Sequence, residues 1–381
     1  MKKFLLLSII FMFVPITIKA ETVDLAPNAT SAIIIEASTG TIIYNKNEHE
    51  KLAPASMTKM MGLLLIMEQI EKGNLKWDEK VTASANASSM GGSQIFLETG
   101  EQMTVEELVK GISIASGNDA MVAMAERIAG TEEAFVELMN KKASELGLKN
   151  TNFKNCTGLD AENHYSSAND MAMIAKELVK HDKILEFSGT YEDYIREGTD
   201  KSFWLVNTNK LVRFYQGVDG LKTGYTTTAG YCLTATAKKD GTRIITVVMN
   251  EPDSATRNSE TTAMLDYGFN MYGMEQLLNK DNVLGKIKVD LGEKEYVEVV
   301  PKEEVNILNN KNSNKRNVTY NVELNNVKAP IAVGDTVGKI NVIENNKTIM
   351  TVDVTVKENV DKANIFISYL RNLKDIVSGN I

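Results

Sequence analysis

The chain has 381 residues, 43% hydrophobic and 24% charged, the composition of a globular protein of two domains or one large one. A net charge of −8 excludes a nucleic-acid binder, which needs basic patches to displace counterions. Two cysteines, Cys156 and Cys232, make no disulfide framework and read as free and structural; with no CxxC or HExxH, neither a metal nor another cofactor is expected.

Lys2 and Lys3, the apolar run Phe4 to Ile18 and Ala20 form a signal peptide over 1–20. The run is short for a spanning helix and is broken by Pro15, so cleavage and export are expected rather than a retained anchor. A first domain is predicted over 21–278. It opens with a hairpin, Ser31 to Tyr44, turning at Ser38-Thr39-Gly40. A mostly helical stretch follows. Helices are predicted over Met57 to Glu71, from Thr104 with a capping box to Glu107, over Asp119 to Ile128, over Glu132 to Leu146, and from Asn169-Asp170 to about Lys180. The period then changes. Gly230 to Lys238 and Arg243 to Asn250 flank Lys239-Asp240-Gly241-Thr242, a strong hairpin signal, before a last helix from Glu260 to Tyr272. This order predicts an α+β fold, an antiparallel sheet packed with a helical cluster.

Composition shifts near Asn279, and from Lys286 to Lys357 apolar and polar residues alternate in strand-like runs. A small all-β domain is expected over 285–358, with a spacer or partner-binding role. In the tail, Phe366, Tyr369, Leu370, Leu373, Ile376 and Val377 fall at helical spacing beside Lys362, Arg371 and Lys374. An amphipathic helix over 362–379 is expected; docking on its own β-domain is the alternative, and export with a terminal position favours the membrane surface.

Ser56-Met57-Thr58-Lys59 carries the chemistry. A serine at a helix start normally caps it, with Glu or Gln three residues on, but Lys59 stands there, beside the positive end of the helix dipole. The apolar run Met60 to Met67 implies burial, and burial pushes an amine towards its neutral form. Residues i and i+3 share a helix face, so Lys59 can reach Ser56 and act as its base. The plain alternative is an N-cap serine and a lysine that snorkels to water. Scarcity of histidine favours the reactive reading: only His49, His164 and His181 occur, with no G-x-S-x-G. Two later elements supply partners. Ser116-Gly117-Asn118 lies between two predicted helices, where a hydroxyl and an amide can be held firmly. Lys222-Thr223-Gly224 opens the strand region, where an edge offers backbone to an extended peptide and Gly224 permits close approach.

With these three elements in order, together with Asn152-Phe-Lys-Asn-Cys-Thr-Gly-Leu-Asp160 and Val218-Asp-Gly-Leu-Lys-Thr-Gly-Tyr-Thr226, the chain resembles the low-molecular-mass penicillin-binding proteins that are serine-type D-alanyl-D-alanine carboxypeptidases. The resemblance spans nearly the whole chain and implies a β-lactamase/transpeptidase-like fold. It implies that Ser56 forms an acyl-enzyme, that Lys59 is its base, and that Ser116 and Asn118 relay protons and position substrate. It implies that Lys222, Thr223 and Gly224 bind the substrate's carboxylate side. The substrate would be a peptidoglycan stem peptide ending in D-Ala-D-Ala, the inhibitors β-lactams, and the location the outer face of the bacterial membrane. Two departures stand out: Tyr225 where some members carry histidine, and Asn207-Thr208-Asn209-Lys210 where some carry arginine. A β-lactamase is an alternative, but Asp160 and Glu162 do not form the Glu-x-x-x-Asn arrangement of fast deacylation. A non-catalytic β-lactam sensor or wall-binding protein is another.

Overall fold

The computed structural model describes residues 23–313, 316–365, 369 and 371. The signal segment expected over 1–20 and nearly all of the helix expected over 362–379 lie outside the described residues.

Ser31–Glu36 is buried at every position, which requires cover on both faces and neighbours on both edges. It lies inside an antiparallel sheet ordered Ile42–Lys46, Ser31–Glu36, Thr242–Glu251, Gly230–Lys239, Val218–Thr226. Because successive side chains point to opposite faces, Ile33 and Ile35 enter one core with Met60 and Leu64, while Ala32 and Ile34 enter another with Met264 and Leu265. The first core is built by the helices Lys59–Glu71, Val105–Ala115, Asn118–Ala129, Glu132–Glu145 and Ala168–Leu178; the helix Ser254–Met271 covers the other face. The predicted α+β architecture is therefore the observed one.

Local signals explain most boundaries. Thr104 and Glu107 form the reciprocal capping box. Asp240 and Gly241, both at positive φ, turn the predicted hairpin. The last helix begins at Ser254, earlier than predicted, because Asp253 caps it by accepting from the Ala255 and Thr256 N–H groups. The nucleophile's helix also differs: Ala55–Thr58 is a 3-10 turn, and the α-helix begins at Lys59. Ser56 therefore caps nothing. Its hydroxyl is left for other work.

The second unit is all-β, ordered Val318–Leu324, Gly338–Glu344, Lys347–Val356, Tyr296–Pro301, Gly285–Asp290, Val327–Lys328. The last, short pairing is parallel and the rest antiparallel. Tyr272–Leu278 pairs with Val305–Asn310 and contributes Leu278 to this second core. Its residues are mostly half-buried and show no clean apolar-polar alternation, which hid it in the sequence.

Candidate active site

The Lys59 helix is buried along its first nine residues, so the lysine cannot reach water and turns back along its own helix. Its amine nitrogen Nζ, on a side chain 0% exposed, lies 2.9 Å from Ser56 Oγ and donates to the Thr157 carbonyl at 2.7 Å. Burial pushes its pKa down to about 7, against the opposing pull of Cys156 and Asp119. Ser56 itself is half-buried and sits where Ala55 takes positive φ.

Ser56, Ser116, Thr223 and Gly224 line one cavity of about 510 Å³. Ser116 is left-handed at φ +66°, which turns the chain from one helix into the next, and its buried Oγ has no hydrogen-bond partner among the described residues. Asn118 donates through its side chain to Gly91 O and through its backbone to Ser93 O, both at 2.7 Å, leaving its buried Oδ1 unpaired. Thr223 donates to Thr208 Oγ1 at 2.7 Å, within the Asn207–Lys210 stretch. A Cβ at Gly224 would stand 2.8 Å from Pro54 O and 3.2 Å from Ser56 N; only glycine lets this strand run so close to the nucleophile.

Lys222 is 1% exposed, and burial followed by the nearby Lys59 and Arg257 pushes its pKa well down. Its amine donates to the Thr223 carbonyl at 3.0 Å.

Three residues went unnoticed in the sequence. Arg257, from the helix Ser254–Met271, is 6% exposed, lines the cavity, and forms no ion pair among the described residues, bonding instead to Asn258 Oδ1. Asp119 accepts from the Ile95, Leu97 and Ala120 N–H groups. Arg196 donates to Glu101 and to the Ile95 and Phe96 carbonyls, clamping the same loop from the other side. Neither Asp nor Glu lines the cavity, whose two cations, Arg257 and Lys210, suit a carboxylate.

Serine, buried amine, Ser-x-Asn loop and Lys-Thr-Gly strand thus converge, and the sequence profile of D-alanyl-D-alanine carboxypeptidases matches residues 17–253. The chain belongs to the D-alanyl-D-alanine carboxypeptidase family. A second profile, the C-terminal domain of penicillin-binding protein 5, matches residues 272–362. D-alanyl-D-alanine carboxypeptidase DacF of Bacillus subtilis is 52% identical over 352 residues, covering 92% of this chain and 90% of that one. The crystal structure of penicillin binding protein 5 from Haemophilus influenzae superimposes with a TM-score of 0.70 at 31% identity, covering 88% and 98% of the two chains. Penicillin-binding protein D2 from Listeria monocytogenes, in its ampicillin-bound form, does so with a TM-score of 0.58 at 29% identity, over 65% and 99%. The protein is a serine-type D-Ala-D-Ala carboxypeptidase, a hydrolase; the β-lactamase and non-catalytic alternatives are not supported. Among the described residues no group of His, Cys, Asp and Glu could hold a metal ion.

Proposed function

We propose that the carboxypeptidase removes the terminal D-alanine of peptidoglycan stem peptides through an acyl-enzyme on Ser56. The carrying observation is the 2.9 Å contact between Ser56 Oγ and the fully buried Lys59 amine. Neutral Lys59 takes the Ser56 proton as the hydroxyl attacks the penultimate carbonyl. The oxyanion meets the N–H groups of Ser56 and Tyr225, the latter next to the glycine whose missing side chain lets the strand lie close to Ser56 N. Ser116, with its free hydroxyl, passes the proton to the departing amine, and the unpaired Asn118 Oδ1 accepts from a substrate amide. The terminal carboxylate is taken by Thr223 and Arg257, and its arrival favours the charged form of Lys222. Water then hydrolyses the ester.

Covalent inhibition by β-lactams belongs to the same reading, as the ampicillin complex of the Listeria relative supports. The apolar N-terminal segment and the amphipathic tail support an exported enzyme held at the outer membrane face, its catalytic unit followed by the β-domain as a spacer. Among the described residues no helix is long and apolar enough to cross a membrane. The test is Ser56→Ala: release of D-alanine from a pentapeptide ending in D-Ala-D-Ala and covalent labelling by a penicillin should both vanish. Retained labelling would overturn the assignment.

A further inference from the structure

His164 is one of three histidines in the chain, and the chemistry above does not use it. Yet it is 7% exposed and lies directly behind the nucleophile's turn. The loop from Lys154 to His164 passes so close to that turn that a Cβ on Gly158 would fall 1.8 Å from Ala55 O. Thr157, next to that glycine, supplies the carbonyl that receives the Lys59 amine. Asn155 Oδ1 holds this corner by accepting from Thr157 N and Gly158 N.

His164 closes the loop with both ring nitrogens. Nδ1 lies 3.0 Å from the Lys154 N–H, a fixed donor, so Nδ1 is an acceptor and carries no proton. The neutral ring therefore carries its proton on Nε2, which donates to Thr58 Oγ1 at 2.8 Å. Burial pushes its pKa down to about 4, so the ring stays neutral at working pH. Thr58 is fully buried and immediately precedes Lys59. One imidazole thus spans the loop that carries the Thr157 carbonyl and the turn that carries the lysine.

We propose that His164 is a positioning residue for acylation: its Nε2–H holds Thr58 and so fixes the Lys59 amine between the Thr157 carbonyl and Ser56, while the Lys154 N–H on Nδ1 sets the ring's tautomer and orientation. The proposal rests on the reading of Lys59 as base. A misplacement of about 1 Å at a reacting group costs on the order of 100-fold, and partial loosening costs less.

The experiment measures the acylation rate constant and the noncovalent dissociation constant of the mature full chain with a fluorescent penicillin. His164→Ala should slow acylation about 10-fold with the dissociation constant unchanged, since the second wall of the cleft is untouched. Two near-isosteres separate the two bonds. His164→Gln offers an amide N–H where Nε2–H stood and should recover most of the rate; His164→Asn offers an acceptor only where Nδ1 stood and should not. Thr58→Val removes the Nε2 bond from its other end. Combined with His164→Asn it should slow acylation little further, because both changes break one interaction.

Wild-type acylation in all the His164 variants would overturn the proposal. So would Gln and Asn variants slowed equally and in step with a fall in melting temperature, the signature of a merely structural histidine. If His164→Ala does not fold, the order of Gln and Asn decides, and Asn equal to or faster than Gln overturns it. None of these results touches the Ser56 assignment, which fails only if Ser56→Ala still labels.

Discussion

The two units of this chain solve opposite problems. The first buries Lys59, Lys222, Asp119, Glu251 and Arg257 around and beneath its cleft. In the second, Thr355 is the one buried polar side chain among the described residues, and the core is valine, isoleucine, leucine and alanine. An aliphatic core yields net stability from area removed from water, whereas each buried charge costs unless it is paired or neutralised. The first unit accepts those costs where the chemistry lies. The second has none to accept. The contrast teaches where substitutions read out as lost activity and where as lost stability alone.

The largest expected effect is at Lys59. Lys59→Met, close in volume and apolar, suits the buried site and should leave the fold intact, yet slow acylation by roughly 10³-fold, as loss of a general base does. Rapid-mixing kinetics with a penicillin check it, and a loss below tenfold would break the division between the units. Asp119→Ala leaves the Ile95 and Leu97 N–H groups unpaired and lets the Ser93–Leu97 wall drift. It should cost about 2–4 kcal/mol by denaturant unfolding and also lower kcat/KM. Arg257→Ala should raise KM for the pentapeptide about 10- to 100-fold by removing a charged hydrogen bond to the carboxylate, with little change in melting temperature. Val354→Ala, in the second core and fully buried, should cost about 2 kcal/mol in the unfolding of that unit and leave penicillin acylation unchanged. A pH-dependent effect sharpens the comparison at Glu251, whose carboxyl is pushed up to about 8 by burial and by Glu260. The native state then holds a proton that the unfolded chain releases near its ordinary value, so this group's contribution to stability falls as pH rises towards about 8. Glu251→Gln should abolish that slope, as unfolding at pH 5 and pH 8 would reveal.

Much of the site was legible because its residues act through short range. Ser56 and Lys59 meet across one turn, the capping box spans three residues, and Asp240-Gly241 turns its own hairpin. The residues that escaped notice act at long range. Asp119 bonds loop residues 22 and 24 positions away, and Arg196 reaches Glu101 across 95. Arg257 enters the cleft only because the last helix packs beneath the sheet, and His164 comes up behind the nucleophile's turn only because Gly158 lets its loop press on Ala55. Such pairings have no period or spacing to betray them. The strand Tyr272–Leu278 was missed for a related reason: its partner strand, Val305–Asn310, lies a whole hairpin away.

The central claim is that Lys59 reaches Ser56 as a neutral amine because burial has brought its pKa down to about 7. The direct measurement is the acylation rate constant of the wild-type chain with a penicillin across pH 5 to 10. Below the folded pKa the ammonium has no lone pair to accept the serine proton, so the rate should rise with pH through about 7. Lys59→Met should lose that rise along with most of its rate. A wild-type rate that stays flat from pH 5 to 10, or a Lys59→Met variant that keeps the same profile, would contradict it.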